Sequence, residues 1–351
     1  MVELRNGSGW LSEIGPASDV VMSCRARLAR NVAGFPFLSK ANSTQRIEVL
    51  SMSRRAILDA NLDEKMLWVD LRQSTPRDMK LLAERQLISR QFAESEAPRA
   101  VAVNGPETLS IMVNEEDHLR IQVLQSGLRI RDAFKRVNEA DDAIEQSLDY
   151  AFSKRWGYLT ACPTNVGTGL RLGVMVHLPG LKLTNEIERI KRAARDLQLA
   201  VRGFFGEGSD AIGDFYQISN QITLGVEEAS LLHEFEHNIV PQLIEYERAA
   251  RNMLLDQRPQ LLDDRVHRAL GLLRSARLLG EQEAMKLLSR VRLGVHTQRL
   301  SGIDPALIDQ LFVRIQPAHL QQIAGDVLER DALKAARATL VRQALDEASP
   351  A

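Results

Sequence analysis

The run Cys162-Pro163-Thr164-Asn165-Val166-Gly167-Thr168-Gly169-Leu170-Arg171 brings a cysteine, a glycine-rich loop and an arginine together in one short stretch. Gly167 and Gly169 flank Thr168 and let backbone amides approach an anion or a base closely. Tyr158-Leu159-Thr160-Ala161 leads into the loop, and the strand-like segment Gly173-Val174-Met175-Val176-His177-Leu178 follows it, ended by Pro179-Gly180. A plain turn is the commoner fate of such a loop, so its meaning depends on what the rest of the chain supplies.

Two further segments bear on it. Ser23-Cys24-Arg25-Ala26-Arg27 follows Val20-Val21-Met22. As a strand, it puts Arg25 and Arg27 on one face and Cys24 and Ala26 on the other. Asn114-Glu115-Glu116-Asp117-His118-Leu119-Arg120 carries three consecutive acids, which repel one another unless cations lie close. Alternation there sends Glu116 to one side and its neighbours to the other.

Outward from these segments, helices are expected over 44–60, 77–95 and 131–153, the last with Phe134, Val137, Ile144 and Leu148 at helical spacing. Thr184 caps another, with Ile187, Ile190, Ala194 and Leu197 as its apolar stripe. Strands are expected at 67–69, 109–113, 119–123, 200–204 and 214–224. From about residue 226 strands cease, and 226–257, 262–279, 281–294, 304–314 and 317–346 read as helices, with Asp304-Pro305 a helix-start signature. The expected class is α+β: an arm over 1–20, a mainly antiparallel sheet flanked by helices over 21–250, and an all-helical domain over 251–351.

Composition narrows the function. The chain has 351 residues and a formal net charge of −1, so its overall field favours neither nucleic acid nor an anionic membrane. Cys24 and Cys162 are its only cysteines, too few for a disulfide framework or a structural zinc site. No signal-peptide pattern and no membrane-length apolar run is present, and the expected location is the cytoplasm. His233-Glu234-Phe235-Glu236-His237 formally matches a metalloprotease pattern. Leu231, Phe235, Ile239 and Leu243 form the apolar stripe of that helix, the histidines point nearly opposite it, and Pro241 follows within a turn; no metal site is expected.

The remaining chemistry lies with arginines and acids. Arg25, Arg27, Arg120, Arg171 and Arg202 each sit in a strand or loop context beside small residues. No Gly-Lys dipeptide occurs, which excludes a P-loop, and the protein-kinase landmarks His-Arg-Asp and Asp-Phe-Gly are absent. An arginine cage is a sound alternative, because each guanidinium offers bidentate, charge-assisted bonds to phosphate. Any one of these arginines alone reads best as a surface ion pair; five on motif-like segments point to a shared polyanion. Glu207 lies in the glycine-rich stretch 202–208, a loop able to close over a substrate. Glu116 and Glu207 could grip a planar guanidinium and aim one nitrogen at a γ-phosphorus, since phosphoryl transfer depends chiefly on positioning and charge neutralisation. Cys162 as a thiolate could hydrogen-bond that guanidinium, with an inert buried cysteine the common alternative.

Together, Ser-Cys-Arg-Ala-Arg-Leu-Ala-Arg-Asn (23–31), the 114–120 acid run, the 162–171 loop, Arg-Gly-Phe-Phe-Gly-Glu-Gly (202–208) and Ile-Ser-Asn-Gln-Ile-Thr-Leu-Gly (218–225) resemble the guanidino (phosphagen) kinases, most closely the bacterial protein arginine kinases of the McsB type. The resemblance implies a guanidino-kinase-like catalytic domain that uses ATP and Mg2+. It implies a nucleotide site on Ser23, Cys24, Arg25, Ala26, Arg27, Arg120, Arg171, Leu172, Gly173, Val174, Met175, Arg202, Gly203, Phe204, Phe205, Gly206 and Glu207, with the five arginines on the phosphates. It places Glu116 and Glu207 on the guanidinium and Cys162 beside it. Small-molecule phosphagen kinases carry a helical domain before this region; here the first arginine motif arrives by residue 25, which suits an arginine displayed on a protein. The resemblance also implies arginine-containing protein substrates, an activator protein, a Clp-type protease partner, a homodimer and a role in bacterial stress response and protein quality control. A free-arginine kinase and a non-catalytic phosphoarginine-binding adaptor are the alternatives. Two departures stand out. Arg330-Asp331-Ala332-Leu333-Lys334-Ala335 replaces an Arg-Asp-x-x-Arg-Pro phosphoarginine-binding motif, and lysine cannot supply a bidentate fork. Gln86 stands where a nucleotide-contacting histidine is expected.

Overall fold

The computed structural model describes residues 9–11, 13–204 and 211–347. Its centre is an eight-stranded sheet in which every neighbouring pair is antiparallel. In chain order the strands are β1 (Val21–Arg30), β2 (Met66–Asp70), β3 (Ala100–Asn104), β4 (Leu109–Val113), β5 (Leu119–Ser126), then a small separate hairpin of β6 (Phe152–Ser153) and β7 (Gly157–Tyr158), then β8 (Leu170–His177), β9 (Leu199–Arg202) and β10 (Phe215–Asn220). The spatial order is β2-β3-β4-β5-β1-β8-β10-β9. The first arginine strand thus lies mid-sheet, between the strand that carries Arg120 and the strand that carries Arg171.

Alternation gives the sheet two unlike faces. On one, Cys24, Ala26, Leu28, Ile121, Val123, Leu172 and Val174 join a buried core with α1 (Ser43–Asp59) and α4 (Ile130–Glu145). The other face is divided. Toward one end it carries Arg25, Arg27, Arg120 and Arg171; toward the other, Met22, Leu124, Met175 and Phe215 form a second core with the C-terminal helices. A register irregularity between Val21 and Ser23 lets Met22 join that second core. The same strands therefore carry the polar cleft and hold the helical region beside it.

The remaining helices are α2 (Pro76–Glu84), α3 (Arg90–Glu94), α5 (Pro179–Leu183), α6 (Ile187–Asp196), α7 (Glu228–Glu234), α8 (Val240–Gln257), α9 (Pro259–Ser275), α10 (Glu281–His296), α11 (Pro305–Arg314), α12 (Pro317–Ala324) and α13 (Arg330–Glu347). Asp304 caps α11 by accepting from Ala306 N, as its sequence signature predicts. Several expected helices are interrupted. The 77–95 helix breaks where Gln86 adopts φ 61°, and the 317–346 helix breaks at Gly325, a left-handed cap. The helix expected over 131–153 ends at Glu145. Thr184 closes α5 instead of capping α6. A π turn over Phe235–Ile239 separates α7 from α8. It widens the ladder just before Pro241, which has no N–H to donate and would crowd a regular turn. β3 is a strand that the sequence pattern does not mark: every residue in it is buried, so it lacks the alternation of a half-exposed strand.

Candidate active site

The divided sheet face opens into a cleft of about 490 Å3, to which Arg25, Arg27, Arg120 and Arg202 all contribute. A smaller recess adjoins it and shares Arg27, Glu116, Arg120 and Arg202; Arg171, Asn165 and Gly169 also line it. A third hollow is bounded by Ser23, Gly173, Val174 and Met175 together with Arg25, Arg27 and Arg202. The five arginines chosen from sequence thus converge on one connected depression. Ladder register explains how. Arg27 pairs with Arg171 on β8 and with Gln122 on β5; Ala29 pairs with Arg120; Gln217 links Arg202 on β9 to Met175 on β8.

The side chains of Cys24, Ala26 and Leu172 lie in the core behind the sheet, so only their backbone can reach the cleft. Gly203 is buried at the end of β9, and Phe204 is enclosed among Phe215 and Phe312. Phe205, Gly206 and Glu207 lie outside the described residues.

The electrostatics of the cleft are unusual for a protein interior. The side chains of Arg27 and Arg171 make no hydrogen bond or ion pair among the described residues, and Arg171 Nε is buried without a partner. Burial, then the neighbouring Arg25, Arg120, Arg171 and Arg202, hold the Arg27 guanidinium well below its ordinary pKa. Burial and Arg120 bring Arg25 down to about 10. Arg171 is lowered by burial, then by Arg202 and Arg120, with Cys162 and Glu116 opposing. Like charges gathered in a half-buried groove cost free energy, and a multiply charged anion is the group that removes the cost.

Arg120 is held by two acids. Its two terminal nitrogens donate to Glu115 and to Glu116, each at 2.9 Å. The alternation expected for the acid run does not apply, because Asn114 has φ 64° and residues 114–118 form a turn that turns both glutamates toward Arg120. Glu115 is the enclosed partner and also accepts from Ser89 Oγ at 2.7 Å; the Glu116 side chain is 43 % exposed.

Asp117 points inward. It accepts from Asn31 Nδ2 at 2.7 Å and from the backbone N–H of Ala161 at 2.6 Å, while Asn31 also reaches Leu159 O at 3.0 Å and receives the His118 N–H at 3.0 Å. Burial raises the Asp117 pKa. This network fixes the Glu116 turn against the segment leading to Cys162, which is half-buried with its Sγ 3.0 Å from Thr164 Oγ1. Arg30 holds the other end of the glycine loop: it donates to Thr168 O at 2.9 Å and to Asp141, and its guanidinium lies 3.5 Å from the Tyr158 ring centroid. Arg30 and Asn31 end the 23–31 motif, but their partners are far along the chain and nothing in the sequence marks them.

Away from the cleft, His233 and His237 are exposed and stacked on each other, with ring centroids 4.4 Å apart. Lys334 is tied to Asp331 at 2.9 Å on the surface of α13. Among the described residues no helix is long and apolar enough to cross a membrane.

Comparison with known proteins agrees with this geometry. Residues 48–250 match the family described as ATP:guanido phosphotransferase, C-terminal catalytic domain, and the chain belongs to that family. Residues 259–351 match the protein-arginine kinase McsB C-terminal domain. The chain is 42 % identical to the protein-arginine kinase of Pelotomaculum thermopropionicum, covering 96 % of this chain and 95 % of that one. It is 43 % identical to that of Geobacillus stearothermophilus, over 96 % of this chain and 93 % of the relative. Among solved structures, lombricine kinase aligns with a TM-score of 0.57 at 28 % identity, over 68 % of this chain and 70 % of that one. The duplicated taurocyamine kinase of Schistosoma mansoni, with bound transition-state-analogue components, aligns with a TM-score of 0.60 at 28 % identity, over 68 % of this chain and 35 % of the longer one.

Proposed function

We propose that this protein is an ATP-dependent protein arginine kinase, transferring the γ-phosphate to arginine side chains of proteins. The observation that carries this reading is the convergence of five arginines on one cleft, two of them without partners among the described residues, beside an exposed glutamate. Full-length similarity to proteins named protein-arginine kinase supports the choice of acceptor.

In this reading Arg25, Arg27, Arg171 and Arg202 grip the triphosphate, and Arg120 joins them while anchoring the acid turn. Glu116, with Glu207, holds the acceptor guanidinium, and Cys162 lies beside it. One P–N bond forms, the bond from the γ-phosphorus to its bridging oxygen breaks, and ADP and a proton are released. Mg2+ neutralises phosphate charge when bound. It would be held mainly by phosphate oxygens and water; Glu115 and Glu116 are the described cleft carboxylates able to bind that water, and no three metal-ligating side chains cluster among the described residues. A stress-response role, an activator protein, a Clp-type protease, homodimerisation and a cytoplasmic location are parts of the proposal that rest on family resemblance.

The test is incubation with ATP, Mg2+ and arginine-rich acceptor proteins, with free arginine in parallel, followed by mass spectrometry under non-acidic handling. Phosphoarginine on the proteins is the expected result. ATP consumption with free arginine alone would select a small-guanidine kinase, and no product with any acceptor would overturn both.

A further inference from the structure

A short buried chain of contacts joins the C-terminal helices to the floor of the arginine cleft. α12 begins at Pro317, which has no N–H, so Ala318 and His319 carry its next free donors. Its own N-cap, Gln316, makes no side-chain cap. The carboxylate of Glu84, at the end of α2, serves instead: Oε1 accepts from Ala318 N at 2.8 Å and Oε2 from His319 N at 3.1 Å. A carboxylate there also complements the positive end of the helix. His319 Nδ1 donates to the same Oε2 at 2.9 Å. With its hydrogen on Nδ1, the ring offers a lone pair at Nε2, and Arg85 Nε donates to it at 3.2 Å. Burial lowers the His319 pKa and favours this neutral ring.

Arg85 is fully enclosed. It donates to Glu107 at 2.6 Å, and its carbonyl accepts from Trp10 Nε1 at 3.0 Å. The next residue, Gln86, is left-handed with φ 61°, a conformation a non-glycine residue keeps only where its surroundings fix it. Its side-chain oxygen accepts from Arg25, and its carbonyl accepts from Gln122 Nε2 at 2.8 Å. Gln122 stands across the ladder from Arg27. Three consecutive residues, Glu84, Arg85 and Gln86, therefore tie α12 to two neighbours of Arg27, the most crowded cation in the cleft.

We propose that His319 is a positioning residue for the nucleotide site: by clamping Glu84 and Arg85 it holds the left-handed turn at Gln86, and through that turn it holds Arg25 and Gln122 in register for phosphate. This rests on the reading of the cleft as the ATP site. On this account the helical region completes the site by bracing one side of its floor.

The experiment measures MgADP affinity of the full chain by titration calorimetry, with phosphoarginine formation and thermal midpoint alongside. His319→Ala is expected to weaken MgADP by about tenfold. His319→Gln, whose amide nitrogen can donate to Glu84 and whose oxygen can accept from Arg85, recovers affinity to within about threefold of wild type. In an Arg25→Ala background, His319→Ala costs less than it does in the wild type, because one of the two contacts it supports is already gone. Unchanged affinity in His319→Ala, or losses that multiply in the double variant, would overturn the proposal. Should His319→Ala not fold, Glu84→Gln is read in the same titration: a several-fold loss supports the proposal and none overturns it. Wild-type protein that binds no MgADP, or binds it and yields no phosphoarginine, refutes the kinase reading itself; an active wild type with an indifferent His319→Ala refutes only the positioning role.

Discussion

Arg27 on β1 stands directly across the ladder from Arg171 on β8, and neither has a carboxylate partner among the described residues. Cross-strand neighbours of like charge destabilise a sheet. This pair persists at the centre of an eight-stranded sheet, with both guanidinium pKa values lowered. The cleft is therefore charged in advance for an anion, and its repulsion is the counterpart of its affinity.

Replacing Arg171 with Gln separates the two effects. Nucleotide affinity should fall by tenfold or more, about 1.4 kcal/mol or greater. The thermal midpoint without nucleotide should hold or rise, because a repulsive pair has been removed. Calorimetry of MgADP binding and a melting scan check both. Unchanged affinity would take Arg171 out of the cage.

Glu116 is exposed and reached by only one nitrogen of Arg120. Glu116→Gln should lower the transfer rate by about a hundredfold or more, with KM for ATP changed by less than about threefold. Steady-state kinetics with a protein acceptor reads both values. Equal losses in rate and ATP binding would assign Glu116 to the nucleotide.

Gly167 has φ 110°, and a Cβ there would lie 2.4 Å from Thr223 O. Gly167→Ala must displace the loop between Cys162 and Arg171. A stability loss of about 2 kcal/mol or more is expected in denaturant titration, with reduced transfer. A wild-type melting curve would show that the loop has room the structure does not give it.

Acid should destabilise the junction between the sheet and α10. His177 is fully buried against Arg292, and burial with Arg292 and Arg251 holds its pKa well below the ordinary value. The same causes bring His296 down to about 3. Both histidines stay neutral in the folded chain while the unfolded chain takes up protons below about pH 6.5. Stability is then fully present above that pH and declines as pH falls from there toward about 3, by at most about 1.4 kcal/mol per pH unit for each suppressed group. Melting midpoints across this range check the direction. A His177→Asn variant that folds should show a shallower decline; an identical slope would assign the acid sensitivity to other groups.

Much of this arrangement was legible in the sequence. Arg25 and Arg27 alternate with Cys24 and Ala26, and that alternation alone placed two cations on one face of a strand. The segment 109–113 is a strand with the expected bounds, and the change to helices after residue 226 is real. Features set by tertiary contact were not legible. Gln86 takes its positive φ amid contacts to Arg25 and Gln122, which lie far from it in the chain, so nothing local announces the break after α2. The turn at Asn114 overrode the strand period that would have parted Glu115 from Glu116. Met22, Met175 and Phe215 read as ordinary strand residues, and only the folded sheet shows that they share a core with Phe312 and Val291 of the C-terminal helices.

The central claim is that these converging guanidinium groups present ATP to an arginine carried by a protein. Phosphorus NMR at neutral pH, on wild-type enzyme with ATP, Mg2+ and an arginine-bearing acceptor protein, tests it most directly. A protein-linked phosphoramidate resonance should grow as the γ-phosphate signal of ATP declines, and should fail to appear with Arg27→Ala. Loss of the γ-phosphate to inorganic phosphate alone, or an undiminished phosphoramidate signal from Arg27→Ala, would contradict it.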